Sequence, residues 1–166
     1  LTLTGRTEAA LPIYEAVVKQ TGDPELMDAL ADALEELGRP AEAAPHRAAA
    51  TARFEAMLKR FPEAAYGHAL EHTLAHGSAA RALELAQANH RLRPNGEAVV
   101  LLARALLKSA RPAEALPLLE AVLADTPFRS VDLHVTAHEV YVATGNAAKA
   151  ATQRASALAL NPHAFD

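Results

Sequence analysis

Five short stretches, each opening an apolar helical pattern and the last four also following one, divide this chain at nearly constant intervals. They are Gly5-Arg6-Thr7-Glu8-Ala9, Gly38-Arg39-Pro40-Ala41-Glu42-Ala43, Gly77-Ser78-Ala79-Ala80-Arg81-Ala82, Ala110-Arg111-Pro112-Ala113-Glu114-Ala115 and Gly145-Asn146-Ala147-Ala148-Lys149-Ala150. Their first residues, at 5, 38, 77, 110 and 145, lie 33, 39, 33 and 35 apart. Glycine closes a helix because it enters the left-handed region without a Cβ clash. Pro40 and Pro112 stand where a helix starts and a missing N–H costs least. A second series of marks falls between the first: Asp23-Pro24, Phe61-Pro62, Arg93-Pro94, Thr126-Pro127 and Asn161-Pro162. Together they predict antiparallel helix pairs repeating about every 34 residues.

Apolar residues recur at helical spacing within the predicted pairs. Val99, Leu102, Ala103 and Leu106 mark one helix, and Ala115, Leu116, Leu119 and Val122 its partner. Small residues at Ala103 and Ala115 suit a close crossing, and Leu106 and Leu119 fill the space beside it. Composition agrees: of the 51% hydrophobic residues much is alanine, the strongest helix former, and aromatic residues are 4%.

The pattern resembles the tetratricopeptide repeat family over nearly the whole chain. That family favours Gly or Ala where Ala31, Leu70, Ala103 and His138 stand, and a large apolar residue where Leu34, Thr73, Leu106 and Tyr141 stand. It favours Ala at Ala10, Ala43, Ala82, Ala115 and Ala150, and Pro near the unit end, as at Pro94, Pro127 and Pro162. Leu70, Thr73 and His138 depart from it. The resemblance implies an all-α fold, an α-solenoid forming a right-handed superhelix of about nine helices. One domain of about four and a half units is expected over 1–166: a lone second helix over 3–21, then pairs at 24–60, 63–92, 96–125 and 131–160. The chain opens on a second helix, and Phe165-Asp166 reads as the start of another unit. A fragment of a longer array or multidomain protein is therefore expected.

One unit is irregular. The helix from Pro40 continues to Arg60, about 30 Å at 1.5 Å per residue. Its added turns carry Phe54, Met57, Leu58 and Phe61 at i, i+3, i+4 and i+7, a stripe that needs cover. Internal packing and a secondary interface with a partner or second copy are both open readings.

In the family, first helices line a concave groove, a consequence of small rotations between repeats. By that register the groove here receives Glu25, Asp28, Asp32, Glu35 and Glu36, then Glu71, Val100, Arg104, Leu107, Val135, Glu139 and Val142. One end is acidic and is expected to face water; the rest turns apolar, with Arg104 placed to pair with Glu71 or Glu139. The expected partner is a protein or peptide presenting an amphipathic segment with a basic end. The Lys, Asn and Arg clamp with which some family members hold a terminal carboxylate is missing: the matching places hold Asp28, Asp32, Gly67, Glu71, Val100 and Arg104.

Other chemistry is sparse. His68-Ala69-Leu70-Glu71-His72 fits H-x-x-E-H, in which two histidines one helical turn apart bind zinc and the Glu acts as base. The pattern lies inside an ordinary repeat helix without a visible third ligand, so no metal or cofactor is expected; His68 and His72 are the candidate ligands were one to bind. His134 and His138 are read as packing histidines that share a hydrogen bond. A net charge of −4 argues against a nucleic-acid surface. No apolar run reaches the roughly 18 residues of a membrane span. There is no Cys, so disulfide and thiolate chemistry are excluded. Either redox compartment suits such a chain, the cytoplasm favoured over the periplasm; the oligomeric state is open. The leading expectation is a non-catalytic binding scaffold. Behind it come a regulatory or substrate-presenting domain of a larger enzyme, and then a zinc-dependent hydrolase through His68, Glu71 and His72.

Overall fold

The computed structural model describes residues 7–125 and 127–165. Among them are nine α-helices and no strand: α1 Thr7–Thr21, α2 Pro24–Glu36, α3 Pro40–Arg60, α4 Pro62–His76, α5 Ala79–Leu92, α6 Gly96–Lys108, α7 Pro112–Asp125, α8 Val131–Ala143 and α9 Ala147–Leu160. The expected all-α class and the run of α3 through Arg60 are both found. Gly5 and Thr126, two of the expected punctuation residues, lie outside the described residues. The chain forms two compact units, one up to His72 and one from Thr73.

Helix starts are built from side chains that accept orphan amide protons. Asp23 accepts from Glu25 and Leu26, Ser78 from Arg81, Asn95 from Ala98, Ser130 from Leu133, and Asn146 from Lys149. Three helix ends share one device. After α2, the amide of Gly38 donates to Glu35 and that of Arg39 to Leu34. After α6, Ala110 donates to Leu107 and Arg111 to Leu106; after α8, Gly145 donates to Val142 and Asn146 to Tyr141. These paired bonds close the last turn of each helix and reverse the chain in three residues. The position needs a left-handed backbone. Gly38 and Gly145 supply it at φ 73° and 77°, whereas Ala110 is held there at φ 57° despite its Cβ.

In the first unit, Leu11, Leu30, Ala31, Ala33, Leu34 and Ala43 form a buried cluster, flanked by Tyr14, Val18 and Leu37. In the second, α6 packs against α5, α7 and α8, and α8 against α9. A helix with three neighbours is buried nearly all round, which explains why Ala98 through Ala103, Ala105 and Leu106 are all buried. Ala103, Ala115, Ala137 and Ala150 are buried too. The positions that depart from the family pattern are accommodated within this packing. Leu70 and Thr73 are buried. The His138 ring donates from Nδ1 to the Ala150 carbonyl at 2.9 Å, tying α8 to α9, and His134 Nδ1 meets Gln153 Oε1 at 2.7 Å. Both histidines thus hold the shared hydrogen bonds expected of them. Farther along, Glu120 of α7 meets Lys149 of α9 at 2.5 Å and the Tyr141 hydroxyl at 3.3 Å. The Lys149 bond, more than its charge alone, holds the Glu120 carboxyl below the usual carboxylate range.

Two stability changes of opposite sign follow. Leu106→Ala removes a buried side chain (4% exposed) and should cost about 2–5 kcal/mol; a urea melt showing less than about 1 kcal/mol would mean the site collapses without a cavity. Ala110→Gly should stabilise by about 0.5–1 kcal/mol. It relieves a left-handed penalty of about 1–2 kcal/mol against about 0.4–1 kcal/mol of added unfolded-chain entropy. A lower urea midpoint for this variant would contradict the strained cap.

Candidate functional site

The acidic stretch of α2 is the densest set of like charges that the sequence singled out, and the structure shows what holds it together. Arg47, on α3, lies among three of its carboxylates. Its Nη1 donates to Asp28 Oδ1 at 3.2 Å, and its Nη2 reaches Asp32 Oδ1 at 2.6 Å and Glu35 Oε2 at 3.2 Å. The same Nη1 also donates to the Asp28 carbonyl at 3.3 Å. Burial works against the guanidinium charge, but its bonds to Asp32, Asp28 and Glu35 outweigh that and raise its pKa above the ordinary arginine value.

Asp28 bonds on its other side as well. Its Oδ2 lies 2.6 Å from His72 Nδ1, and His72 Nε2 lies 2.8 Å from the Thr51 hydroxyl. A carboxylate only accepts, so His72 Nδ1 carries a proton. Thr51 also has the Arg47 carbonyl within 3.0 Å as an acceptor for its own hydroxyl. The His72 ring packs on Phe54, with centroids 5.0 Å apart. One network therefore joins α2, α3 and His72 of α4. His68, one turn earlier on α4, pairs with Glu25. Glu36 accepts from the Thr7 hydroxyl at 3.0 Å.

This geometry corrects the expectation that the whole acidic end faces water. The Asp28 side chain is only 15% exposed and is enclosed by Arg47 and His72. Asp32, Glu35, Glu36 and Glu25 remain exposed. Val100, expected to line the groove, is 4% exposed, because α6 is covered by several neighbours and not by one partner helix. Leu107, Arg104 and Val135 are half-buried, and Glu71, Glu139 and Val142 exposed. Of the stripe on α3, Phe54 and Leu58 are buried while Met57 and Phe61 are exposed. Internal packing accounts for the first two alone.

Thr51, His72 and Asp28 stand in the order of hydroxyl, base and orienting acid. A nucleophile also needs amide donors for the developing oxyanion. Thr51 lies well inside α3, where the amides are committed to the helix's own i→i−4 ladder. The zinc pattern fares no better. His68 and His72 both direct Nδ1 at carboxylates, and His72 Nε2 is taken by Thr51. Among the described residues no group of three or more His, Asp or Glu is placed to hold a metal ion. No helix among them is long and apolar enough to cross a membrane. Arg47, which organises the site, was missed from the sequence. It sits 19 residues from Asp28, on the partner helix, and no local spacing links the two.

Solved structures share the fold. A thermophilic TPR protein of Thermus thermophilus superposes with a TM-score of 0.65 at 22% identity, over 98% of this chain and 87% of that one. MamA, residues 41 to the end, from Desulfovibrio magneticus RS-1 gives 0.58 at 20% identity, over 99% and 91%. A double mutant, MamA RS-1 ArsTM, gives 0.57 at 20% identity, over 99% and 90%. No protein-family model matches the chain, and no curated protein matches it. The tetratricopeptide resemblance read from the helix stops thus holds at the level of the fold.

Replacing Arg47 by methionine, which keeps the stem and removes the charge, should destabilise the first unit by about 1–3 kcal/mol. Loss of one partner of a fully buried pair costs about 3–5 kcal/mol, and partial exposure here lowers that. Added salt should recover part of the loss by screening Asp28, Asp32 and Glu35 from each other. A urea melt unchanged within about 0.5 kcal/mol would show that water alone satisfies the three carboxylates.

Proposed function

We propose that this tetratricopeptide-like chain is a non-catalytic interaction module that binds a protein or peptide segment with a basic end. The carrying observation is the exposed part of the α2 cluster. Asp32 and Glu35 share a single arginine with Asp28, so three carboxylates meet one guanidinium. With Glu25 and Glu36, that face keeps a net negative charge on a rigid helix. An acidic face draws basic segments by long-range attraction and sets their orientation more than their affinity.

In the second unit, taken by itself, Leu107, Val135 and Val142 offer a separate apolar face to a partner, with Val142 58% exposed. Apolar contact there would supply affinity, and Arg104 and Glu139 would supply polar contacts. Val100 takes no part, being buried. The fold shared with the Thermus protein and MamA supports a scaffold reading, since it is built wholly of paired helices and the amides near Thr51 are already used. A regulatory or substrate-presenting domain attached to an enzyme would use the same faces.

The test separates steering from folding. Asp28 must be left intact, because it belongs to the Arg47 and His72 network. The triple variant Asp32→Asn, Glu35→Gln and Glu36→Gln removes charge from the exposed face, and the amide oxygens left at 32 and 35 can still accept from Arg47. A labelled amphipathic peptide with lysines at one end and leucines along one side serves as probe, followed by stopped-flow anisotropy. Association should slow by roughly one order of magnitude at low salt and converge with the wild type at high salt. Equal rates at low salt, with the fold retained by circular dichroism, would remove the steering role.

A further inference from the structure

A second surface, sharing none of the α2 carboxylates, has the opposite charge. The added turns of α3 wall a cleft of about 220 Å³ in the first unit, whose lining includes Gly22, Pro24, Arg53, Met57, Arg60 and Phe61. Met57 is 37% and Phe61 56% exposed, so the apolar side of the cleft is open to solvent. Gly22 lets it form. Its φ of 62° favours glycine, and without a Cβ, which would lie 2.5 Å from Arg53 Nη2, the guanidinium rests against the end of α1. Arg60 lies over the Phe61 ring, 4.9 Å from its centroid, which holds a second guanidinium on the rim.

Neither arginine is spent on an acid. Among the described residues Arg53 and Arg60 form no salt bridge, in contrast to Arg39, Arg47 and Arg111, each of which meets a carboxylate. The neighbouring acids Glu55 and Glu63 have interactions of their own. Two unpaired planar forks beside an open apolar floor match a carboxylate next to a bulky apolar side chain. The volume suits one leucine or phenylalanine side chain.

We propose that this cleft docks an acidic linear segment of a partner protein, with one apolar side chain against Met57 and Phe61 and its carboxylates on Arg53 and Arg60. Charge complementarity selects this occupant. A second copy of the chain would bring its own Arg53 and Arg60 to an isologous contact, placing like charges together. The surface is independent of the acidic α2 face, so failure here leaves the interaction reading above intact.

Three labelled peptides test it on the full chain by equilibrium anisotropy: one with glutamates flanking a phenylalanine, one with lysines in their place, and one with glycine for the phenylalanine. The first should bind saturably and more weakly as salt rises; the other two should not. Arg53→Glu with Arg60→Glu should weaken the first by roughly tenfold or more. Phe61→Ser, a change at an exposed position, should also weaken it while circular dichroism stays unchanged. Absence of saturable binding by the first peptide overturns the proposal, as does equal affinity for the charge-reversed variant. Concentration-dependent self-association abolished by Phe61→Ser would assign the cleft to a second copy instead. Binding to phosphatidylserine vesicles lost in the charge-reversed variant, without peptide binding, would assign it to a lipid surface.

Discussion

Close approach of paired helices, made possible by alanine at the crossings, is the constraint on which both units depend. Helix axes pack about 8–10 Å apart, and the distance is set by the side chains at the contact. Ala31 and Ala43 share the buried cluster of the first unit, and Ala103, Ala115, Ala137 and Ala150 are buried in the second. With few aromatic residues to fill wide gaps, the chain gains burial by bringing backbones together. The leucines beside the crossings, such as Leu34, Leu106 and Leu119, then fill what is left. Within this close fit, His134 and His138 are tied to a side chain and a carbonyl of the facing helix. His138 at a small-residue position is tolerated because its ring meets a carbonyl of the facing helix.

Those features that depend on local order were legible in the sequence. Gly38 and Gly145 stop helices through backbone freedom, a property of the residue itself, so the stops and the pairing could be read directly. The length of α3 was legible because neither Gly nor Pro interrupts 46–60, although Pro45, in the second turn, removes one hydrogen bond of the helix ladder without ending the helix. What escaped was every feature set by a third element. Val100 fits one inward register, but its burial is decided by how many helices surround α6. Asp28 reads as one exposed carboxylate in an acidic run until α3 brings Arg47, and α4 brings His72, to either side of it.

The same distinction separates the two charged surfaces of the first unit. The acidic run is conspicuous in sequence and partly cancelled in space, because its carboxylates crowd around one half-buried guanidinium. Arg53 and Arg60 are inconspicuous, seven residues apart on one helix, yet both reach solvent without an acidic counterpart. Conspicuous charge therefore marks a network that stabilises the fold as much as a face that meets a ligand. The reactive surface of such a protein is better located by asking which charges have no partner than by asking where they are dense.

The length of α3 has a geometric consequence. It has 21 residues where α5, α7 and α9 each have 14, a difference of seven. Seven residues are close to two whole turns, with a residual rotation of only about 20°. The chain thus leaves α3 from nearly the side it would have left two turns earlier, carried about 10 Å farther along the axis. An insertion of this size changes the reach of a helix and barely its phase. An addition of five residues would instead have swung the exit by about 140°. Repeat chains can in this way lengthen one helix in a single event and keep the buried stripe aligned through the new turns, as Phe54 and Leu58 do here.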